Sequence, residues 1–366
     1  MIQKKQEARR IAVPPRKVAT IREVAAKAGV STATASRALN DDPKVLSSTA
    51  QRVRKAAARL GYSANHAARS LKTRATRTIG VIAPDLATDF FMLLADRIEG
   101  ELAARGYGLL LCSSRESLAE EKRLLGFFAE RLVDGVIAIP ATASGSHFKA
   151  AAARGMPLVL ADRSPRGAGT DAVLVDNEGG ACAATRALAG LGHRRIGLVG
   201  GDPRLSTARE RHAGYLRALA ELGLPREEAF ERYGNMHIDS GYRMLGQMLS
   251  LPGAPGAFFV VNADTHIGCT NWLMTAGRSA DSPAAEGVST GRAMAVAPAA
   301  TVGRVELAAF DEMPYSPLLC FCRFAVEQPV AMMGQEAVRL ILERIAGDGG
   351  DRPRILRLPT RLVSHG

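Results

Sequence analysis

The sequence predicts two parts of different class: a small all-α head of helix-turn-helix type, and an α/β body made of two doubly wound parallel sheets arranged as two lobes. Three observations lead there. Charge is divided along the 366 residues: positions 1–78 hold 18 Lys and Arg against 4 Asp and Glu, a net of +14, whereas 79–366 hold 30 against 32, a net of −2. Helix start and stop signals crowd residues 20–61, and from Thr78 onward short apolar runs alternate with helical stretches. A basic head on a near-neutral body is the footprint of a polyanion binder, with nucleic acid ahead of an anionic membrane.

Residues 1–19, MIQKKQEARRIAVPPRKVA, read as a basic disordered tail, and residues 20–63 as the head. Thr20 and Glu23 form a T-x-x-E capping box, after which Ile21, Val24, Ala25 and Ala28 follow at helical spacing. Gly29 can turn left-handed, Val30 can plug inward and Ser31 can cap a second helix. In that helix Ala35, Ala38 and Leu39 face the first, which leaves Thr32, Ala33, Ser36 and Arg37 outward and Thr34 near the N-terminus. Small residues permit close approach to a groove, hydroxyls hold phosphates, and an arginine can fork onto a guanine edge. A third helix from about Ser48, with Val53, Ala57 and Leu60 inward, ends at Gly61.

TIREVAAKAGVSTATASRALN, followed by GYSANHAARSLKT, resembles the lactose-repressor (LacI/GalR) family of bacterial transcription regulators. The resemblance implies that Thr32, Ala33 and Arg37 read base edges, while Thr20, Ser31, Thr34, Ser36 and Asn40 grip the DNA backbone. Residues 64–77 then correspond to the hinge, where Asn65, Ala68, Arg69 and Leu71 match a helix whose leucine wedges into the minor groove and kinks the duplex. The chain departs from the family pattern at Ala35, for the usual valine, and at Ala64, for the usual proline.

In the body, TIGVIAPD, YGLLLCSS, VDGVIAIP, MPLVLADR, RRIGLVGGD, GAFFVVNAD and RVELAAFDE read as strands separated by helices, hence as parallel sheets with right-handed crossovers. Ligands of such sheets sit beyond the strands' carboxyl ends, which points to Asp85, Ser113, Asp162, Asp202, Asp264 and Asp311. The resemblance implies a periplasmic-binding-protein-like body over 78–366, with one lobe at about 78–175 and 329–350 and the other at about 176–328 and 351–366. LSTARERHAGY places Arg211 where the family clamps its ligand, FDE places Asp311, VEQP places Gln328 and LADR places Asp162. An arginine forking two hydroxyls and aspartates accepting from them are the chemistry of sugar recognition. Phe90 and Phe91 offer either a ring to stack on a sugar face or a core residue at a helix start, and Arg115 lies within reach of the cleft. Asn262 and Asp264, in NADTHIG, match a family Asn-Asp pair at altered spacing, and RSADSPAAEGVSTGRAMAVAPAATVG (278–303) reads as an insert of about twenty residues.

That insert contains GVSTG, a formal nucleophile elbow at Ser289 with Asp311 and His365 in hydrolase order, but it lacks the flanking strand and helix such an elbow needs. No catalytic metal or cofactor is expected, because the five cysteines are scattered and no histidine cluster occurs. Neither an export signal nor a membrane span is read, which predicts a cytoplasmic protein. The expectation is a homodimer that binds double-stranded operator DNA and represses transcription under control of a sugar-like effector. The rival reading is a sugar-binding protein or sugar enzyme with a basic head.

Overall fold

The computed structural model describes residues 19–62, 75–130, 133–279, 305–319 and 321–365. The expectations for tail residues 1–18, for the hinge positions Asn65, Ala68, Arg69 and Leu71, and for Ser289 lie outside the described residues. The chain divides into two units, 1–76 and 77–366.

The first unit holds helices α1 (Ile21–Ala28), α2 (Thr32–Leu39) and α3 (Ser47–Arg59). Its buried core consists of Val24, Val53 and seven alanines, among them Ala25, Ala35, Ala38 and Ala57. Side chains this small bring the helix axes close together. Val30, Leu39 and Leu60 close the edges of that core, and Arg52 Nε donates to Ala28 O at 3.0 Å, satisfying a carbonyl at the end of α1.

The second unit contains two six-stranded sheets. The first is ordered β11-β5-β4-β3-β1-β2, from β1 (Thr78–Ala83), β2 (Gly108–Ser113), β3 (Gly135–Ala138), β4 (Leu158–Ala161), β5 (Asp171–Val175) and β11 (Ile355–Leu358), all parallel. The second repeats the order as β12-β10-β9-β8-β6-β7, from β6 (Ile196–Gly200), β7 (Glu231–Tyr233), β8 (Ala257–Val260), β9 (Glu306–Phe310), β10 (Cys322–Glu327) and an antiparallel β12 (Arg361–Ser364). The strand order reverses at β1 in one sheet and at β6 in the other, which sets a switch point at the carboxyl edge of each lobe.

Helices α4 (Asp89–Ala103), α5 (Leu118–Glu130), α6 (Ser146–Ala153) and α11 (Val330–Ala346) cover the first sheet, with α11 packed on α4 and on β3 to β5. Helices α7 (Asn177–Gly190), α8 (Ser206–Glu221), α9 (Ile238–Leu249) and α10 (Ala263–Ser279) cover the second. A Cβ at Gly214 of α8 would lie 2.1 Å from Glu178 O, so only glycine lets α8 approach α7 this closely.

Two sequence expectations change. Five strands (β5, β7, β10, β11 and β12) lie outside the seven runs read as strands. Residues 351–366 do not all belong to the second lobe, because β11 extends the first sheet and only β12 joins the second. The ladder bonds Ala172 N to Arg354 O (2.9 Å) and Asp176 N to Leu358 O (2.8 Å) hold that segment to β5. The chain therefore passes between sheets after β5, after β10 and between β11 and β12.

Candidate functional site

In the head, the capping box forms as the sequence pattern requires: Thr20 N donates to Glu23 Oε2 at 2.6 Å and Glu23 N to Thr20 Oγ1 at 3.4 Å. Gly29 takes φ 63° and ends α1 in the left-handed region, and Ser31 then caps α2 by accepting from Thr34 N at 3.1 Å. These two caps set the start of α2. Thr32, Ala33, Arg37 and Asn40 are exposed along it, as are Thr20 and Ser31, while Thr34 and Ser36 are half-buried. The Thr34 hydroxyl lies 2.9 Å from Ser31 Oγ, so both hydroxyls sit together at the start of α2.

In the body, the carboxyl ends of both sheets converge on one small pocket, a cavity of about 30 Å³. From the first lobe come Phe90 and Phe91 after β1, Glu116 after β2, and Asp162 and Arg163 after β4. From the second come Thr207 and Arg211 on α8, Met236 and His237 after β7, Asn262 after β8 and Asp311 after β9, with Gln328 on the crossover after β10. Asp162 and Asp311 occupy equivalent places at the ends of β4 and β9, and both take left-handed backbone, φ 64° and 71°. That conformation is uncommon for residues other than glycine, and here it turns each carboxylate into the cleft.

Arg211, 2% exposed, is held from three sides. Its Nε donates to Asn177 Oδ1 at 2.9 Å, its Nη1 to Val261 O at 2.8 Å, and its guanidinium carbon lies 3.6 Å from the centre of the Phe310 ring. Its Nη2 faces Asp311 Oδ1 at 3.6 Å, and that oxygen also accepts from Gln328 Nε2 at 2.5 Å. Opposite, Arg163 Nε lies 3.5 Å from Asp162 Oδ2, Nη1 donates to Pro140 O at 3.2 Å, and the guanidinium sits 5.3 Å from the Phe91 ring centre. Four buried polar atoms of this pocket have no hydrogen-bond partner: Asp162 Oδ1, Arg163 Nε, Thr207 Oγ1 and Gln328 Oε1. Burial pushes the Asp162 carboxyl up to about 6, against the pull of Arg163 and Arg211.

The pocket thus gathers Asp162, Arg211, Asp311, Gln328 and Phe90. Asp264 lies at the start of α10 and accepts from Thr88 Oγ1 at 3.1 Å, a bond that joins the two lobes. Asp85, Ser113 and Asp202 do other work: Asp85 accepts from Ala87 N in its own turn, Ser113 donates to Pro84 O, and Asp202 is forked by Arg204. Arg115 is exposed and its neighbour Glu116 reaches the pocket in its place. Sequence reasoning passed over Arg163, Thr207 and His237. Thr207 lies one turn before Arg211 on the same face of α8 and was within reach of helical periodicity, whereas Arg163 directly follows Asp162 beyond the end of β4, where strand alternation gives no reason for both to enter one pocket. His237 follows a three-residue strand with no sequence signal.

A helix presented by a small basic head, and a body of two lobes around a closed polar pocket, define an effector-regulated DNA-binding protein. Residues 20–65 match the model of bacterial regulatory proteins of the lacI family, and residues 76–365 match the model of periplasmic binding proteins and the sugar-binding domain of the LacI family. The chain belongs to the LacI family and is a DNA-binding transcription regulator, not an enzyme. It is 29% identical over 352 residues to the HTH-type transcriptional repressor PurR of Aliivibrio salmonicida, covering 95% of this chain and 98% of that one. The complex of the transcriptional regulator CelR with cellobiose superposes with a TM-score of 0.66 at 27% identity, over 95% of this chain and all of that one. The lac repressor dimer bound to operator and the anti-inducer ONPF shares the fold, with a TM-score of 0.78 at 23% identity over 95% and 98% of the two chains. Among the described residues no helix is long and apolar enough to cross a membrane.

Proposed function

We propose that this regulator is a cytoplasmic repressor whose operator affinity is set by a neutral, hydroxyl-rich small molecule, a sugar or sugar derivative, bound between the lobes. One observation carries the reading: four buried polar atoms around a single pocket make no hydrogen bond. Asp162 Oδ1 and Gln328 Oε1 are acceptors, Arg163 Nε is a donor, and the Thr207 hydroxyl is either. Each desolvated and unpaired group costs about 1–3 kcal/mol, which a guest carrying both donors and acceptors recovers. Hydroxyl groups are both. Two guanidiniums, Arg163 and Arg211, against three carboxylates, Asp162, Asp311 and Glu116, leave no surplus positive charge for a phosphate, and the Phe91 ring supplies an apolar wall.

In this reading two heads of a homodimer read a partly palindromic operator. Arg37, Thr32 and Ala33 meet base edges, Thr20, Ser31, Thr34, Ser36 and Asn40 meet the backbone, and the hinge segment with Asn65, Ala68, Arg69 and Leu71 enters the minor groove. A near-complete switch, from 1:99 to 99:1, needs about 5.5 kcal/mol of difference in effector affinity between the two states. Relief of repression by the sugar is the expected sign.

The test is a thermal-shift screen of neutral sugars, sugar phosphates, polyols and purines, followed by anisotropy on an operator duplex selected from a random pool. Neutral sugars should raise the melting temperature and weaken operator binding. Operator affinity should fall steeply with salt, with a log–log slope near −0.9 for each phosphate contacted. A purine that stabilises the chain where no sugar does would replace the sugar reading.

A further inference from the structure

The same pocket has a second layer that none of the ligand-facing residues explains. Asn177, 1% exposed, is the first residue of α7 and stands on the first crossover between the lobes. Its amide works at both ends: Oδ1 accepts from Arg211 Nε at 2.9 Å, and Nδ2 donates to Glu210 Oε2 at 3.1 Å. Glu210 belongs to α8 of the second lobe, yet its carboxylate accepts from Nη1 (3.0 Å) and Nη2 (3.3 Å) of Arg357, which lies on β11 of the first lobe just before the third crossover. Arg357 Nη1 also donates to Val175 O at 2.9 Å, the last residue before the first crossover. On the other side of Arg211, Asp311 and Gln328 carry the chain of contacts to the second crossover.

We propose that Glu210 is a positioning residue which, through Asn177 and Arg357, couples the effector clamp to the angle between the lobes. The inference rests on the cleft being the effector site. All three passages of the chain between the lobes are touched by one connected set of hydrogen bonds and ion pairs, and Arg211 is its centre. Any rotation of the lobes about these passages must stretch or remake the Glu210 to Arg357 contact, because its two ends ride on different sheets. A ligand that draws on Arg211 shifts the seat of Asn177, and Asn177 holds Glu210. The side chains of Glu210 and Arg357 are 24% and 44% exposed, so as a plain surface ion pair they would contribute little to stability. Their effect lies in which lobe angle they favour. Glu210 also faces the clamp electrostatically, since its charge acts on both Arg211 and Asp162.

The experiment uses the full chain, an operator duplex selected from a random pool, and D-ribose, D-glucose and cellobiose as probes. Anisotropy gives operator Kd with and without sugar, and calorimetry gives sugar Kd. Glu210→Ala and Arg357→Met should each cut the sugar response from the roughly 5–150-fold typical of such coupling to under about threefold, while sugar Kd changes by less than the response does. The double variant should fall no further, because both substitutions remove one link. The exchange Glu210→Arg with Arg357→Glu remakes the ion pair but takes the Glu210 carboxylate away from Asn177 Nδ2, which keeps only its long 3.5 Å bond to Val175 O within its own chain turn, so it should stay uncoupled. A Glu210→Ala chain that responds as the wild type does, or an exchanged pair that recovers the full response, overturns the relay alone. If none of the sugars alters operator binding of the wild type, the effector reading fails and the relay fails with it.

Discussion

Two buried aspartates at opposite ends of the first sheet are solved in opposite ways. Asp171 opens β5 at the amino end and is 1% exposed; Asp162 follows β4 at the carboxyl end and is 4% exposed. The Asp171 carboxylate accepts from Arg344 Nη2 (2.6 Å) and Nε (3.0 Å), and from Arg354 N (2.8 Å), Nη2 (2.8 Å) and Nε (3.2 Å). Burial alone would raise its pKa, but these bonds outweigh burial and hold it below the usual carboxylate range. Asp162 has Arg163 at 3.5 Å on one oxygen and no partner on the other, and burial pushes it up to about 6. The difference separates two uses of a buried charge within one lobe: one that the fold satisfies closes the sheet, whereas one that the fold leaves half-satisfied is the seat we propose for a ligand.

Breaking the satisfied end should have the largest effect. Asp171→Ala leaves Arg344 and Arg354 facing each other over a lost anchor and detaches the segment entering β11, so a loss of about 3 kcal/mol is expected in chemical denaturation. A loss under about 1 kcal/mol would put Asp171 among ordinary surface pairs.

Asp162→Asn should move stability the other way. The folded pKa of Asp162 lies above its unfolded value, so the folded state binds this proton more tightly, and the carboxylate's destabilisation grows as pH rises from about 4 and is complete above about 6. Relative to wild type, the ligand-free variant should therefore gain up to about 3 kcal/mol at pH 7 and nothing at pH 4, since one pKa unit corresponds to about 1.36 kcal/mol. For Asp171, with its lowered pKa, the linkage is reversed: its contribution is present above the unfolded pKa and is lost as pH falls through the folded one. Urea denaturation of wild type and both variants at each pH separates the two signs.

At the ligand end, Arg211→Ala removes the clamp and should weaken sugar binding about 10- to 100-fold, the range for hydrogen bonds to a charged group. Calorimetry with the strongest neutral sugar of the screen reads it directly, and unchanged affinity would remove Arg211 from the contact surface.

The same contrast explains what the sequence made legible. The head was readable because its signals are local: Thr20 with Glu23, Gly29 and Ser31 each act within one helical turn. Seven strands were readable as apolar runs, whereas β11 and β12 carry an arginine every few residues and face solvent, and β5 runs straight into the turn that starts α7. Asp162, Arg211, Asp311 and Gln328 could be carried over from motifs. The Asp171 clamp could not, because its partners lie 173 and 183 residues away along the chain, and neither could Asn177, whose role exists only where α7 and α8 meet.

The smallest expected effect is the pH dependence of ligand affinity, and it bears most directly on the comparison. A sugar hydroxyl donating to Asp162 favours the ionised carboxylate, so binding lowers the pKa of that group and releases a proton. Affinity should be level above about pH 7 and should fall toward tenfold per pH unit below about 6, as the empty site protonates before the sugar can bind. Asp171, already ionised in this range by its two arginines, adds nothing to the slope. Asp162→Asn should flatten the profile while lowering affinity throughout, and calorimetry in buffers of different ionisation heat should show proton release for the wild type and none for the variant. A wild-type profile that stays level down to about pH 5 would mean that Asp162 is not the acceptor the sugar uses, and the unsatisfied oxygen at the end of β4 would then need another partner.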